Sequence, residues 1–159
     1  MSKLTYQKRL KQISKSIVLT ILYLCFANVA YAQGRCQYRF SSDVDFLGGI
    51  MVLNSTKKPI TGVVCTYYSK NGNVLAETPF KNGKKEGIEK QYHENGKLSV
   101  ENPFKNGIAE GIQKVYFESG KLWMENPYKN GILDGIAKDY DEKTGILRRT
   151  VTYIAGKRL

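Results

Sequence analysis

Residues 101–112 read ENPFKNGIAEGI and residues 125–136 read ENPYKNGILDGI, the same phrase displaced by 24 positions. A fixed step in this range is the signature of a repeat architecture. Working outward, Gly87, Gly111 and Gly135 are 24 apart, as are Gly72, Gly96 and Gly120, and Gly83, Gly107 and Gly131. Tyr68, Tyr92, Tyr116 and Tyr140 keep the step, and so do Pro79, Pro103 and Pro127. The first copy carries one extra residue between Gly62 and Gly72, and the last carries one in DEKTG at 141–145. Four copies therefore run from Gly62 to Gly156, with bounds near 62–86, 87–110, 111–134 and 135–159.

Each copy holds two turn signals. One is Asn71-Gly72 or Asn95-Gly96, replaced by Ser119-Gly120; the other is Lys-Asn-Gly at 81–83, 105–107 and 129–131. Asn-Gly tolerates the positive φ values of a type I′ hairpin turn, so both sites are expected to make one. Roughly ten residues lie between turns, enough for a strand of five to seven with its flanks. Ile88, Lys90 and Tyr92 alternate with Glu89 and Gln91, and the same sets recur as Ile112, Lys114, Tyr116 and Ile136, Lys138, Tyr140. In the returning strand Leu98, Val100, Asn102 and Phe104 alternate with Ser99 and Glu101, matched by Leu122, Met124, Asn126 and Tyr128. Period two predicts half-buried strands with the Ile and Phe sets on the core face and Glu101 on the other. Glycine and proline recur too often for a helix. The prolines belong at a bulge or just past a paired stretch, because proline has no N–H to donate.

A single hairpin is marginal in water, so stacked copies must cover one another and the ends need caps. The expected fold is all-β: an elongated antiparallel meander of 24-residue hairpins in one twisted sheet, preceded by a signal-peptide helix. Residues 33–61, with FLGGIMVL and STKKPITG, are the expected N-terminal cap. Lys157 and Arg158 place cations on the far edge, which discourages strand pairing there.

The first 32 residues read differently. Lys3, Lys8, Arg9, Lys11 and Lys15 precede an uncharged run from Ile17 to Ala30, and Ala30-Tyr31-Ala32 follows. These are the three parts of a secretory signal peptide, with cleavage expected after Ala32 and delivery to the periplasm or outside the cell. The alternative is an uncleaved anchor in the inner membrane, although the apolar run is short for a span. Cys25 follows Leu24, where a lipidation site wants a small residue. Removing residues 1–32 takes five of the 25 basic residues and none of the 14 acidic ones, so 20 face 14 and the net charge falls from +11 to +6. The remaining charge is mixed along the chain and does not suggest specific nucleic-acid binding. Cys36 and Cys65 remain, an even pair that can form one disulfide in an oxidising compartment.

Copies such as GIQKVYFESGKLWMENPYKNGILD, residues 111–134, resemble the MORN repeat variant, whose pattern is G-x-x-x-x-Y-x-x-N-G-x-L followed by an aromatic and a second N-G. KPITGVVCTYYSKNGNVL, residues 58–75, looks like the first repeat of bacterial proteins grouped as the YwqK family, often labelled antitoxins. The resemblance covers residues 58–159 and implies the repeat fold and, through the label, a cognate toxin as partner. Family copies often carry a Trp soon after the leading glycine, where Ile88, Ile112 and Ile136 stand here.

Nothing in the inventory points to an enzyme. His93 is the only histidine and is expected in an exposed turn. No His/Cys zinc set or cofactor motif occurs. Glu86, Glu110 and Asp134 form an acidic column, but each is alone in its copy whereas a calcium loop gathers several oxygens. They are expected to pair with Lys84 or with lysines of neighbouring copies. Lys90, Lys114 and Lys138, with Tyr92, Tyr116 and Tyr140, form a column suited either to lysine stems covering rings or to an anionic partner such as lipid headgroups or a polyanion. Trp123 marks a contact spot or packs against a cap. The leading reading is an exported, non-catalytic scaffold that binds a protein; a YwqK-type antitoxin and a binder of anionic envelope surfaces are the alternatives.

Overall fold

The computed structural model describes residues 36–159. The signal segment, Cys25, the cleavage point after Ala32 and the first residues of the cap lie outside the described residues. The described chain is all-β, as the turn spacing predicts. Its strands are β1 (Tyr38–Arg39), β2 (Val44–Leu47), β3 (Ile50–Leu53), β4 (Gly62–Tyr67), β5 (Val74–Lys81), β6 (Lys84–Lys85), β7 (Gly87–Tyr92), β8 (Leu98–Lys105), β9 (Ile108–Ala109), β10 (Gly111–Tyr116), β11 (Leu122–Lys129), β12 (Ile132–Leu133), β13 (Gly135–Tyr140), β14 (Leu147–Ile154) and β15 (Lys157–Arg158). From β4 onward the long strands follow one another across a single sheet in sequence order, while β6, β9 and β12 are short returns against β5, β8 and β11.

The two turns of a copy are physically different. At Asn82-Gly83, Asn106-Gly107 and Asn130-Gly131 both residues have positive φ and the loop has two residues, so these are type I′ turns. At the other turn only the glycine has positive φ. Gly96 N–H donates to His93 O and His93 N–H to Lys97 O, giving a three-residue loop with its left-handed residue at Gly96. The asparagine here acts through its side chain: Asn95 Oδ1 accepts from Lys97 N–H at 2.9 Å. No positive φ is required at this position, and serine stands there at Ser119. In the first and fourth copies the extra residue lies in this turn, where Gly72 donates to Tyr68 O and Gly145 to Asp141 O. The register consequently makes Tyr67, which pairs with Val74, the counterpart of Tyr92, which pairs with Leu98; Tyr68 corresponds to His93.

Register also corrects the expected core face. Directly opposed residues share a face. Ile88 opposes Pro103 and Lys90 opposes Glu101, whereas Gly87, Glu89 and Gln91 oppose Phe104, Asn102 and Val100. The aromatic of each returning strand thus packs on the side of Glu89, not of Ile88. Ile88, Ile112 and Ile136 are 51%, 52% and 56% exposed, while Glu89 is buried and held by Lys85, Thr78 and Gln91. A bulge before Tyr92 and Tyr116 leaves Ser99 and Trp123 as the extra residues and puts Leu98 and Leu122 opposite those tyrosines.

The prolines mark where a strand loses its next neighbour. β7 pairs with β5 only at Ala76–Gln91 and Glu77–Lys90. Two residues on, Pro79 O accepts from Glu86 N–H, so its absent N–H points to the side where that ladder has ended. Pro103 and Pro127 repeat this with Glu110 and Asp134. Gly111 has a φ of 114°, and a Cβ there would lie 3.2 Å from Pro103, so glycine is needed where the chain passes the ring.

The fully packed core lies at the N-terminal end. The β2–β3 hairpin covers the Glu89 side of the sheet at the first copy, enclosing Val44, Met51, Ile60, Val64 and Phe80 with Tyr38 and Leu53 at the margin. Backbone bonds tie the hairpin and the segment after it to the first type I′ turn, Met51 N–H to Gly83 O and Gly83 N–H to Ile60 O. β1 runs parallel to β4 on the outer edge, and Cys36 is bonded to Cys65 with 5.6 Å between their Cα atoms.

Candidate functional site

The lysine column lies where its strands put it, but it is not a cationic stripe. The ladder pairs Glu77 with Lys90, Lys90 with Glu101, Glu101 with Lys114, Lys114 with Glu125 and Glu125 with Lys138. Three glutamates alternate with three lysines in one row across the sheet. The expectation that Glu101 faces away from Lys90 is therefore wrong, because a strand's neighbours and not its own alternation decide which charges meet. Opposed pairs of this kind contribute about 0.2–1 kcal/mol each.

The tyrosines lock the row. Tyr116 Oη donates to Glu101 and Tyr140 Oη to Glu125, both at 2.9 Å, and Lys138 Nζ lies 3.2 Å from Glu125. Burial would raise Glu125, but the hydrogen bonds from Tyr140 and Lys138 and the charges of Lys138 and Lys114 outweigh it, holding its carboxyl below the ordinary range. Lysine-to-ring contact occurs elsewhere: Lys85 stands over Phe104 at 4.6 Å, as Arg39 does over Tyr67.

Tyr116 offers a direct test of this row. Burial, then the bond to Glu101 and the charges of Glu101 and Glu125, push it from 10.0 up to about 12. Its contribution to stability is complete below the ordinary tyrosine value and is lost as pH rises through about 12. In a ring-carbon NMR titration Tyr116 is expected to keep its proton where an ordinary tyrosine has lost it. Glu101→Gln should bring the transition back toward 10.0; an unchanged transition would refute the pairing.

The acidic column has a different partner from the lysines expected for it. Glu86 Oε2 accepts from Asn106 N–H at 2.7 Å and Glu110 Oε2 from Asn130 N–H at 2.8 Å. Asp134 faces Ala155 N–H at 3.4 Å, and Thr61 Oγ1 does the same for Asn82. Each acid thus holds the type I′ turn of the next copy, and the turn glycine donates to the preceding copy's short return strand. Among the described residues no three of His, Cys, Asp and Glu gather as a metal site.

His93 is half-buried, and its Nε2 lies 3.0 Å from Tyr116 O, as Tyr68 Oη lies 2.8 Å from Tyr92 O. It joins adjacent copies. Trp123 stacks on Phe117 with centroids 5.2 Å apart and remains 38% exposed.

Two features escaped the linear reading. One is the exposed row of Ile88, Ile112 and Ile136, which shares its face with the charge ladder. The other is a cation excess at the type I′ turns, where Lys81, Lys84, Lys105, Lys129, Lys157 and Arg158 are all exposed. Repetition of Lys-Asn-Gly signals the second; the first needs the register.

Comparison with known proteins bears on the repeat itself. Residues 63–82, 85–106 and 109–130 match the MORN repeat variant. The fourth hairpin, β13 to β15, lies outside those stretches but has the same form, with Thr152 where its predecessors have proline. No curated protein matches the chain.

Proposed function

We propose that the chain is an exported, non-catalytic repeat scaffold whose sheet binds a protein. The observation that carries this is the row of half-exposed isoleucines, one in each of the last three copies. Successive members are two strands apart, roughly 10 Å, so an extended partner would meet the same apolar step repeatedly. The neighbouring Glu–Lys row is internally neutralised, and therefore favours recognition by shape over attraction to any polyanion. Repeats of this kind commonly bind proteins or membranes. The signal-like N-terminus supports export.

The test replaces Ile88, Ile112 and Ile136 with serine. Their exposure predicts that melting changes little, whereas a photo-crosslinker placed beside Ile112 should lose the envelope protein it captures with the parent chain. Recovery of the same protein by the triple variant would sink the reading. A toxin is one such partner, as the YwqK resemblance implies, and relief of toxin-induced growth arrest by co-expression tests that narrower version.

A second reading follows from the cations at the type I′ turns. If that edge lies on anionic lipid, vesicle binding should weaken with salt. It should also survive Lys90, Lys114 and Lys138 becoming Gln, because those three alternate with glutamates in one row.

A further inference from the structure

We infer that the outer edge of β14 receives an extended, acidic segment of a partner protein as an added strand. The repeat shows what such an edge does. β5, β8 and β11 each accept a neighbour at two residues: Ala76–Glu77, Val100–Glu101 and Met124–Glu125. The matching pair on β14 is Arg149–Thr150, which oppose Asp139 and Lys138 on the inner side. On the outer side β14 pairs with β15 at Tyr153 and Ile154, and among the described residues no strand lies beside Arg149 and Thr150.

The backbone direction is settled by the neighbouring bonds. Thr152 O accepts from Leu159 N–H at 3.0 Å, so residue 152 points outward. In an antiparallel ladder alternate residues point the same way, so Thr150 also presents its N–H and C=O to the open side. Such a row of unpaired groups is a template for strand addition.

Charge selects the occupant. From Lys143 to Leu159 there are five cations and no Asp or Glu. Arg149 is paired with Asp139 of β13 at 3.1 Å, and Lys143, Arg148, Lys157 and Arg158 remain to set the charge of the edge. Earlier copies set a glutamate where Thr150 stands and an acid where Leu159 stands. Two β14 strands from different copies of the chain would bring two cation-rich edges together, so the cations oppose self-pairing and favour an acidic strand. Of the isoleucine row only Ile136 lies against this strand, opposite Thr152, whereas Ile88 and Ile112 oppose Pro103 and Pro127. The inference rests on the protein-binding reading only for the class of partner, and a variant with serine at Ile88 and Ile112 alone leaves the edge intact.

The experiment uses fluorescent synthetic peptides with the full chain. The first alternates glutamate with threonine and valine, the second puts lysine for glutamate, and the third is the acidic peptide interrupted by prolines. The acidic peptide is expected to bind and to protect the amides of β14 from exchange, while the lysine and proline peptides bind about tenfold or more weakly. Thr150→Pro removes an outward N–H without touching the β13 ladder, and should cost a similar factor. Arg148→Glu with Lys157→Glu should shift preference to the lysine peptide, which keeps the test decisive if the proline variant does not fold. Equal binding of the acidic and proline-interrupted peptides would overturn the inference. So would a concentration-dependent dimer protected at β14, since that makes a second copy the occupant.

Discussion

Phe80→Ala is expected to destabilise the protein by about 3–5 kcal/mol and to lower Tm by about 10–20 °C. Phe80 is the aromatic of the first returning strand and is only 5% exposed, packed with Val44, Met51, Ile60 and Val64. The same repeat position in the second copy is Phe104, which pairs across β8–β7 with Gly87 as Phe80 pairs with Gly62. Phe104 is only half-buried, because the β2–β3 hairpin covers the first copy and not the second. Phe104→Ala should therefore cost about half as much, since the loss scales with the area removed from water. The measurement is denaturant unfolding of both variants beside the parent. Equal losses would mean that the cap does not create the core that its contacts describe.

Removing the Cys36–Cys65 bond by changing both residues to serine is expected to cost about 3–4 kcal/mol. The bond spans 29 residues of sequence, and so restrains a sizeable loop in the unfolded chain. In the folded state it anchors β1, which otherwise meets β4 only at Tyr38–Val64 and Arg39–Cys65. Cys65 is fully buried, so a serine hydroxyl there adds a polar group to an apolar site. Unfolding midpoints with and without reductant measure the effect on the parent chain. Identical midpoints, with mass spectrometry showing both thiols free under oxidising conditions, would remove the bond from the structure's support.

The period and the hairpins were legible because they depend on local chemistry. Glycine in a positive-φ turn and proline at a lost ladder act within a few residues, so the chain advertises them directly. The side-chain faces were not legible to the same degree. Ile88, Lys90 and Tyr92 read as an apolar set against Glu89 and Gln91, and within that strand nothing contradicts it. The decisive fact is that Glu89 lies opposite Asn102 and is held by Thr78 and Lys85, all three outside its own strand, as well as by Gln91 within it. The two Asn-Gly turns misled for a related reason. The dipeptide is the same, but a two-residue loop uses the asparagine backbone at positive φ, and a three-residue loop uses its side chain.

The candidate surfaces divide along the same line. The lysine and acidic columns were visible as columns, yet their roles changed once each met its neighbour. Lys90 and Lys114 stand between glutamates, Lys138 between Glu125 and Thr150, and Glu86 and Glu110 hold turns.

Sequence by itself determined that this protein is a stack of β-hairpins with a distinct beginning, because repetition and turn residues are properties of the chain read in order. Tertiary structure alone decided which face is covered at the first copy, which charges meet and which strand edge has no neighbour among the described residues. Those outcomes depend on the register between strands of different copies, and each copy's burial and electrostatics are set by the neighbour it meets.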